Sequence, residues 1–278
     1  MTNERNTAVI TYIDEFYIEN LKNDFVVSLF TSAAYKGTLV ILDYTEDNLL
    51  KDFSYRDHDI RVISCKKDFA VFSQRYRDIP KAIEGLDEKI TNIMLADGGD
   101  IWFQKSITPI FDSTEKRIGC VEEIQLIGED SWTEKCIANL SPRNIEKFML
   151  VCNHTHVKNS GMIAGPREMV KKIIEDVYSD ICDEGVNFFG IDQLFFNYRF
   201  NLLSDTAKRV LDNENNFVLV TNKKGFFEKN GLIYRNDGKL VTLVHNAGGA
   251  WRVLERPYKN PCVNYDQYIV ENVVAIGI

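Results

Sequence analysis

The sequence predicts an α/β fold in which a mostly parallel central sheet is flanked by helices and followed by a less regular C-terminal part. Two observations support this prediction. Over residues 1–111, short apolar runs rich in β-branched residues alternate with segments whose apolar residues recur at helical spacing, as they do in βαβ units. The 278 residues are 45% hydrophobic, which is enough to bury the core of one large domain.

The N-terminal half contains four predicted strands, at residues 7–12, 38–43, 61–65 and 89–96. The first is a run of apolar and β-branched residues that suits a strand buried on both faces. A helix is predicted between the first two strands, at residues 14–32. A second helix is predicted at residues 69–86, and we expect Pro80 to interrupt it because proline lacks a backbone N–H.

The C-terminal half shows a mixed pattern. Strands are expected at residues 120–127, 144–152, 217–221 and 239–245, and helices at residues 166–182 and 192–198. A turn-rich link is expected at residues 159–165, and Pro166 suits the first turn of the helix that follows it. No internal repeat or clear linker separates the halves, so we expect one domain over residues 1–278.

Composition and charge exclude several classes of protein. The chain has 41 acidic and 33 basic residues and a formal charge of −8, which argues against broad nucleic-acid binding. Neither a GxGxxG motif after a strand nor a GxxxxGK[ST] motif occurs, which disfavours a Rossmann dehydrogenase and a P-loop enzyme. The six cysteines form no CxxC pair and indicate reduced thiols. Without a signal peptide or an apolar stretch of about 20 residues, a cytoplasmic location is expected.

The strongest local signal is Asp97-Gly98-Gly99-Asp100, which directly follows the fourth predicted strand. In open α/β sheets, ligands bind at the carboxyl ends of the strands. Carboxylates at that position can hold a hard divalent cation, and glycine lets a phosphate approach the backbone closely. The alternative is an ordinary Asp-Gly turn between two strands.

Further short motifs accompany this turn. The chain holds, in order, Arg77 on the preceding predicted helix, Asn159-Ser160-Gly161, Asp192-Gln193 and His245-Asn246-Ala247-Gly248. In content and order these segments resemble the GT-A fold nucleotide-sugar glycosyltransferases, especially the retaining group that contains glycogenin and bacterial lipopolysaccharide galactosyltransferases. Two departures are visible. The acids of the metal motif are separated by two residues where the family has one, and Gly249-Ala250-Trp251-Arg252 stands where the family has Lys-Pro-Trp.

The resemblance implies a GT-A-like domain with a nucleotide-sugar donor half at residues 1–111 and an acceptor half at residues 112–278. It implies that Mn²⁺ or Mg²⁺ is held by Asp97, Asp100 and His245, and that Asp192 and Gln193 flank the transferring sugar. The residues expected to contact the donor are Tyr12, Asp14, Arg77, Asp97, Glu123, Asn159, Gly161, Gly248 and Arg252.

The expected activity is transfer of a hexose from a UDP-sugar, with retention, to a glycan or lipid-linked glycan acceptor. A divalent cation stabilises the charge that develops on a nucleoside diphosphate leaving group, and Arg77 or Arg252 would add a fixed cation. Tyr12 and Asp14 follow the first strand, where the base would lie. Peripheral membrane contact is compatible with such an acceptor.

Each candidate residue also has a structural interpretation. His245 could hydrogen-bond the core, Asp192 and Asp14 could begin helices, Arg77 could be a solvated helix residue, and either Glu122 or Glu123 could face the sugar. His154 and His156 are expected to be structural or to lie near the acceptor. Two other functions stay open, namely a non-catalytic GT-A-like binding protein and a sugar nucleotidyltransferase. The latter is disfavoured because no Gly-rich loop follows the first strand.

Overall fold

A computed structural model describes residues 4–219, 221–222, 225–247 and 274–275. The strands are β1 (Thr7–Ile13), β2 (Thr38–Asp43), β3 (Ile60–Ser64), β4 (Asn92–Ala96), β5 (Ile101–Phe103), β6 (Ile118–Leu126), β7 (His156–Lys158), β8 (Met162–Pro166), β9 (Val186–Asn187), β10 (Lys208–Leu211), β11 (Phe217–Val218), β12 (Phe226–Lys229), β13 (Leu232–Arg235), β14 (Leu243–His245) and β15 (Val274–Ala275). The helices are α1 (Ile18–Asn20), α2 (Val27–Phe30), α3 (Val71–Glu84), α4 (Thr108–Ser113), α5 (Ser131–Ile137), α6 (Pro142–Cys152), α7 (Arg167–Glu184) and α8 (Ile191–Leu202). A π-helical stretch, Leu21–Val26, joins α1 to α2.

The central sheet has the strand order β10-β6-β8-β4-β1-β2-β3, with β7 paired to β6. Strands β1 to β4 are parallel to one another. Strand β8 is antiparallel to both of its neighbours, β4 and β6, so β6 again runs in the direction of β4, and β10 is parallel to β6. The prediction of an α/β fold with a mostly parallel sheet flanked by helices is confirmed.

Both faces of the sheet are covered, which explains why its strands read as continuous apolar runs. Successive side chains of β1 point to opposite faces. Ala8 and Ile10 pack in the core that includes α3, α7 and α8, whereas Val9 and Ile13 pack in the core that includes the helical segment from α1 to α2. A third, smaller apolar cluster lies under the C-terminal strands and contains Trp102 and Phe217.

The order of the strands creates a crevice beside β1. After β1 the chain moves outward to β2 and β3, and α3 then returns it to β4 on the other side of β1. At such a reversal the loops after the two central strands diverge and leave room for a ligand at their carboxyl ends. The loops that follow β1 and β4 therefore form the walls of this crevice, where a ligand can bind.

A small second sheet connects β14 to the turn after β4. It has the order β11-β14-β5. Strand β14 is antiparallel to β5, with His245 opposite Ile101, and Asn246 N donates to Asp100 O at 2.9 Å. This pairing brings His245 next to Asp100.

Three sequence predictions about single elements were wrong. Residues 144–152 belong to helix α6, because Pro142 suits a first helical turn and Phe148 and Cys152 lie four residues apart on its buried side. Helix α3 continues through Pro80, because its buried face packs in the core on both sides of the proline. The supposed link at residues 159–165 contains β8, a buried strand between β4 and β6. Among the described residues of the ranges 217–221 and 239–245, the strands are shorter than predicted and correspond to β11 and β14.

The assignment of the α8 core can be tested by truncating one side chain. Phe196 is fully buried and its ring centroid lies 5.7 Å from that of Phe200. We expect Phe196→Ala to lower the free energy of unfolding by about 3–5 kcal/mol, measured by urea denaturation, because it removes contacts and leaves a cavity. The control is Phe16→Ala, since Phe16 is 72% exposed and should change stability by about 0.5 kcal/mol or less. Equal losses would contradict the packing.

Candidate functional site

A cavity of about 680 Å³ lies at the carboxyl ends of β1 and β4. Its volume is in the range of small-molecule binding sites. The structure brings ten of the residues selected from the sequence into its lining: Tyr12, Asp14, Asp97, Asp100, Glu123, Asn159, Gly161, Asp192, Gln193 and His245. These residues come from six separate parts of the chain and are brought together by the fold.

Asp97, Asp100 and His245 form one cluster in this cavity. One ligand atom from each lies within 4.8 Å of the others. His245 Nε2 is 3.4 Å from Asp100 Oδ1 and 3.8 Å from Asp97 Oδ2. The group could hold a metal ion, and two carboxylates with one imidazole form a ligand set that accepts Mn²⁺ and leaves positions open for oxygen ligands.

Two observations of this chain fit a cation at the cluster. Asp100 Oδ1 is buried and has no hydrogen-bond partner, and a buried polar atom without a partner is costly. Burial lowers the pKa of the His245 imidazole, but the Asp100 and Asp97 carboxylates raise it, and the net shift is upward from its ordinary value. The local potential is therefore negative and favours positive charge.

Glycines make room for the cluster. Gly161 lies against it, because a Cβ there would be 2.8 Å from Asp97 Oδ2 and would also overlap Cε1 of His245. Gly99, between the two aspartates, lies under the ring of Tyr17, and a Cβ there would be 2.7 Å from Tyr17 Cγ. The glycines of both motifs are thus required by close contacts, and the turn after β4 has a specific packing role.

Sequence reasoning missed the most important cation of the site. Arg75 is buried and donates to Asp97 Oδ1 and, at 2.8 Å, to Asp192 Oδ2. Its guanidinium carbon also lies 4.5 Å from the centroid of the Tyr12 ring. One side chain on α3 therefore connects the metal cluster, the candidate catalytic aspartate and the loop after β1.

Arg77, which the sequence analysis selected, points elsewhere. It donates to Asp78 and Asp68 and is not part of the cavity lining. Helical spacing could have separated the two arginines. Arg75 is four residues before the buried Ile79 and shares its face, whereas Arg77 is four residues before the exposed Lys81.

A hydrogen-bonded layer supports the cluster from the side of β6 and β8. Asn159 Nδ2 donates to Glu123 Oε1 at 2.7 Å, and Asn159 Oδ1 accepts from Gly161 N and Asn216 Nδ2, each at 3.0 Å. Burial raises the pKa of the Glu123 carboxyl, and the hydrogen bond from Asn159 only partly opposes this shift. The neighbouring Glu122 pairs with Lys158 at 2.8 Å and does not line the cavity, so Glu123 is the glutamate of this pair that faces it.

Asp192 and Gln193 lie in the first turn of α8. Asp192 is buried against Arg75, and burial raises its pKa although the guanidinium opposes this. Gln193 Oε1 accepts from Ser160 Oγ at 3.4 Å. Both residues line the cavity, so the Asp192 side chain does more than begin a helix.

The loop after β1 forms another wall. Asp14 Oδ1 accepts from Phe16 N at 3.2 Å and so caps a short 3-10 turn. It also lines the cavity together with Tyr12, Phe16 and Lys67. Burial raises the pKa of the Asp14 carboxyl, and Lys67 works against that shift. The capping interpretation of Asp14 is therefore correct, and the residue is in addition available to a ligand.

The charge of the cavity is strongly unbalanced. Among the described lining residues, the carboxyl side chains are Asp14, Asp97, Asp100, Glu123, Asp130 and Asp192, and the lysine and arginine side chains are Lys67 and Arg75. Arg75 is already bound to two aspartates. An anionic ligand would be repelled here unless a cation entered with it.

Two further predicted donor-binding residues, Gly248 and Arg252, lie outside the described residues. His154 is 3.9 Å from Glu129 on the surface, and neither it nor His156 lines the cavity. None of the helices in the part of the chain that the structure describes combines the length and hydropathy of a membrane-spanning segment.

The sequence matches no protein-family model and no curated protein, so a functional assignment depends on this geometry.

The close packing at Gly161 gives a test of the metal cluster. We expect Gly161→Ala to weaken Mn²⁺ binding, measured by isothermal titration calorimetry, by about tenfold or more, because the added methyl group displaces Asp97 and His245. Gly85→Ala is the control, since a Cβ there meets its nearest atom, Ala82 O, at an ordinary 3.6 Å. Unchanged affinity in Gly161→Ala would show that the cluster is not the metal site.

The two arginines of α3 offer a matched comparison. We expect Arg75→Met to lower the free energy of unfolding by about 3–5 kcal/mol, because it leaves two carboxylates without their buried partner. Arg77→Met should cost only about 1 kcal/mol, since Asp78 keeps the Tyr44 hydroxyl at 3.0 Å and Lys81 at 3.3 Å. Chemical denaturation of both variants measures the difference, and the reverse ranking would contradict the role of Arg75.

Proposed function

We propose that the protein is a metal-dependent glycosyltransferase that moves a hexose from a UDP-sugar to a glycan or lipid-linked glycan acceptor, with retention. The observation that carries the proposal is the Asp97–Asp100–His245 cluster in the crevice beside β1. It combines hard ligands for a divalent cation with a position where α/β sheets bind nucleotides.

The excess of carboxylates makes the cation necessary. A nucleoside diphosphate is an anion, and the described lining residues offer it only Lys67 and Arg75 as lysine and arginine side chains. When bound to the cluster, Mn²⁺ or Mg²⁺ would act as a Lewis acid that stabilises the charge on the diphosphate leaving group. Arg75 holds Asp97 in place through its own ion pair, so that the carboxylate keeps its second oxygen turned toward His245.

The other residues of the site would each contact a different part of the donor. Tyr12 and Asp14 lie after β1, where an aromatic face and an acceptor for a ring N–H or ribose hydroxyl suit a nucleoside. Asp192 is fixed by Arg75 close to the metal cluster, where a carboxylate can orient sugar hydroxyls or stabilise an oxocarbenium-like centre. Glu123 and Gln193 would bind further hydroxyls of the transferring sugar.

The resemblance to GT-A glycosyltransferases supports the same conclusion. The mostly parallel sheet is compatible with that fold, and four of the segments that suggested it, Asp97–Asp100, Asn159–Gly161, Asp192-Gln193 and His245, line one cavity. Retention and the choice of UDP and of a hexose rest on the resemblance, because no pair of side chains in the site identifies a nucleophile or a base. Arg252, the proposed substitute for the family's phosphate-binding lysine, is outside the described residues.

A thermal-shift panel tests the proposal. UDP, GDP, CDP and several UDP-sugars are compared with and without Mn²⁺, and we expect UDP compounds to stabilise the protein only when Mn²⁺ is present. At a hundred times its Kd a ligand stabilises the fold by about 2.7 kcal/mol. Asp100→Asn and His245→Gln should abolish the shift. Asp205→Asn and His154→Gln are matched controls, because those side chains are 100% and 72% exposed.

Turnover separates a transferase from a binding protein. Incubation of the UDP-sugar that stabilises best with Mn²⁺ should release UDP, slowly with water and faster with a suitable acceptor, and Asp192→Asn should suppress the release. Metal-dependent stabilisation without UDP release would favour the non-catalytic alternative. If no nucleotide stabilises the protein with or without Mn²⁺, the proposal fails.

A further inference from the structure

The cavity extends beyond the residues that the proposed function uses. Its lining includes a group on the side of β6, namely Gln125, Asp130, Trp132, Thr133, Val157 and Phe189. We call this group the β6–α5 end. No motif of the sequence analysis drew attention to Trp132 or Gln125, and the donor described above does not need them.

The β6–α5 end is remote from the nucleoside wall. Strand β6 is separated from β1 by β8 and β4, so the two strands are about 14 Å apart at ordinary strand spacing. The metal cluster follows β4, between them. A nucleotide sugar with its base beside β1 and its diphosphate at the cluster would direct the sugar toward β6, and the acceptor must approach the sugar from there.

The β6–α5 end presents a fixed aromatic surface. Trp132 is half-buried and lies directly after the first residue of α5, whose cap is Asp130. Its ring centroid is 6.1 Å from that of Phe189, which in turn is 5.4 Å from Phe72. Gly190 allows this packing, because it has a φ of 95° and a Cβ there would lie 2.9 Å from the Trp132 ring. The indole therefore packs against Gly190, which is two residues before Asp192 in the sequence.

A polar atom without a partner lies in the same region. Gln125 Oε1 is buried and has no hydrogen-bond partner, although Gln125 lines the cavity. A buried acceptor of this kind is satisfied when a ligand hydroxyl donates to it. An aromatic ring together with a few polar atoms is the usual composition of a ligand site.

The charged side chains of the β6–α5 end favour a neutral ligand over an anionic one. Lys67 and Arg75 are the lysine and arginine among the described lining residues. Lys67 is 3.2 Å from Glu15 beside the β1 loop, and Arg75 is bound by Asp97 and Asp192. The β6–α5 end instead contains Asp130. No lysine or arginine is among the described residues of this end, so a phosphorylated or sialylated acceptor would have no cationic partner among them. A neutral pyranose can place its C–H face on an indole and its hydroxyls on neutral acceptors.

We propose that the β6–α5 end is an acceptor subsite for a neutral carbohydrate, with a pyranose ring stacked on Trp132 and a hydroxyl donating to Gln125 Oε1. This inference rests on the proposed function, because only a sugar-transfer reaction requires a second carbohydrate beside the donor. It names the acceptor class as a neutral glycan, and it makes Trp132 a determinant of acceptor specificity that leaves donor binding alone.

Saturation-transfer-difference NMR with defined sugars tests the subsite. The probes are lactose, maltose and cellobiose as neutral glycans, and sialyllactose and glucose 6-phosphate as anionic ones, each with and without UDP and Mn²⁺. We expect at least one neutral disaccharide to bind, with saturation on the C–H protons of one ring face. Trp132→Ala should weaken that binding about tenfold or more, a loss of about 1.4 kcal/mol, while Trp132→Phe, which keeps an aromatic face, should retain most of it.

Further variants separate this inference from the proposed function. Gln125→Met keeps the side-chain volume and should also weaken sugar binding, whereas Ile124→Thr on the opposite face, where Ile124 is 61% exposed, should not. The affinity for UDP with Mn²⁺ should be the same in Trp132→Ala and the unmodified protein. A parallel loss of UDP affinity would place Trp132 at the nucleotide end and overturn the inference.

The sugar titrations have other decisive outcomes. Binding of anionic sugars alone, equal binding of a neutral sugar to Trp132→Ala, or no binding of any neutral sugar would each overturn the acceptor subsite. If a neutral sugar binds through Trp132 while UDP and Mn²⁺ fail to bind the unmodified protein, the carbohydrate site stands and the transferase proposal fails.

Discussion

One buried guanidinium connects the parts of this site. Arg75 comes from α3, Asp97 from the turn after β4 and Asp192 from the start of α8, and the two ion pairs hold these elements against one another. A charge so buried is tolerated only because both carboxylates compensate it. Asp97 has one oxygen on Arg75 and the other near His245. The geometry of the Asp97–Asp100–His245 cluster therefore depends on α3, although α3 contributes no residue to that cluster.

Among the described residues, the lining of the cavity has more carboxylates than lysines and arginines. This excess of carboxylates would repel a diphosphate and attract a divalent cation. We therefore expect a cation and a nucleotide to bind together. Glu123 and Asp192, whose pKa values are raised by burial, already accept hydrogen bonds from Asn159 and Arg75. A buried acceptor without a partner, such as Gln125 Oε1, would gain a hydrogen bond when a polar ligand enters.

The sequence was informative wherever a local pattern is sufficient. β-Branched runs located β1, β2 and β4, and the Asp97–Asp100 turn marked the strand end where ligands bind. The order of the motifs anticipated that His245 would reach the same cavity, although that contact depends on the pairing of β14 with β5, which no local pattern encodes. Which of Arg75 and Arg77 faces the cavity depends on the rotation of α3 about its axis. The helix break predicted at Pro80 was wrong, because packing on both sides of the proline keeps α3 continuous. Trp132 and Gln125 gave no signal, because nothing in their neighbourhood along the chain is unusual.

The pairing of β14 with β5 also has a consequence in time. Asp100 and His245 are about 145 residues apart, and a ribosome adds about 5–20 residues per second. The two aspartates are therefore made about 7–30 seconds before the histidine that joins them. A nascent chain can form the parallel strands β1 to β4 during that interval, but its ion cluster stays incomplete until the C-terminal segment emerges and pairs. The Asp97–Asp100–His245 cluster can therefore form only after β14 has been synthesised.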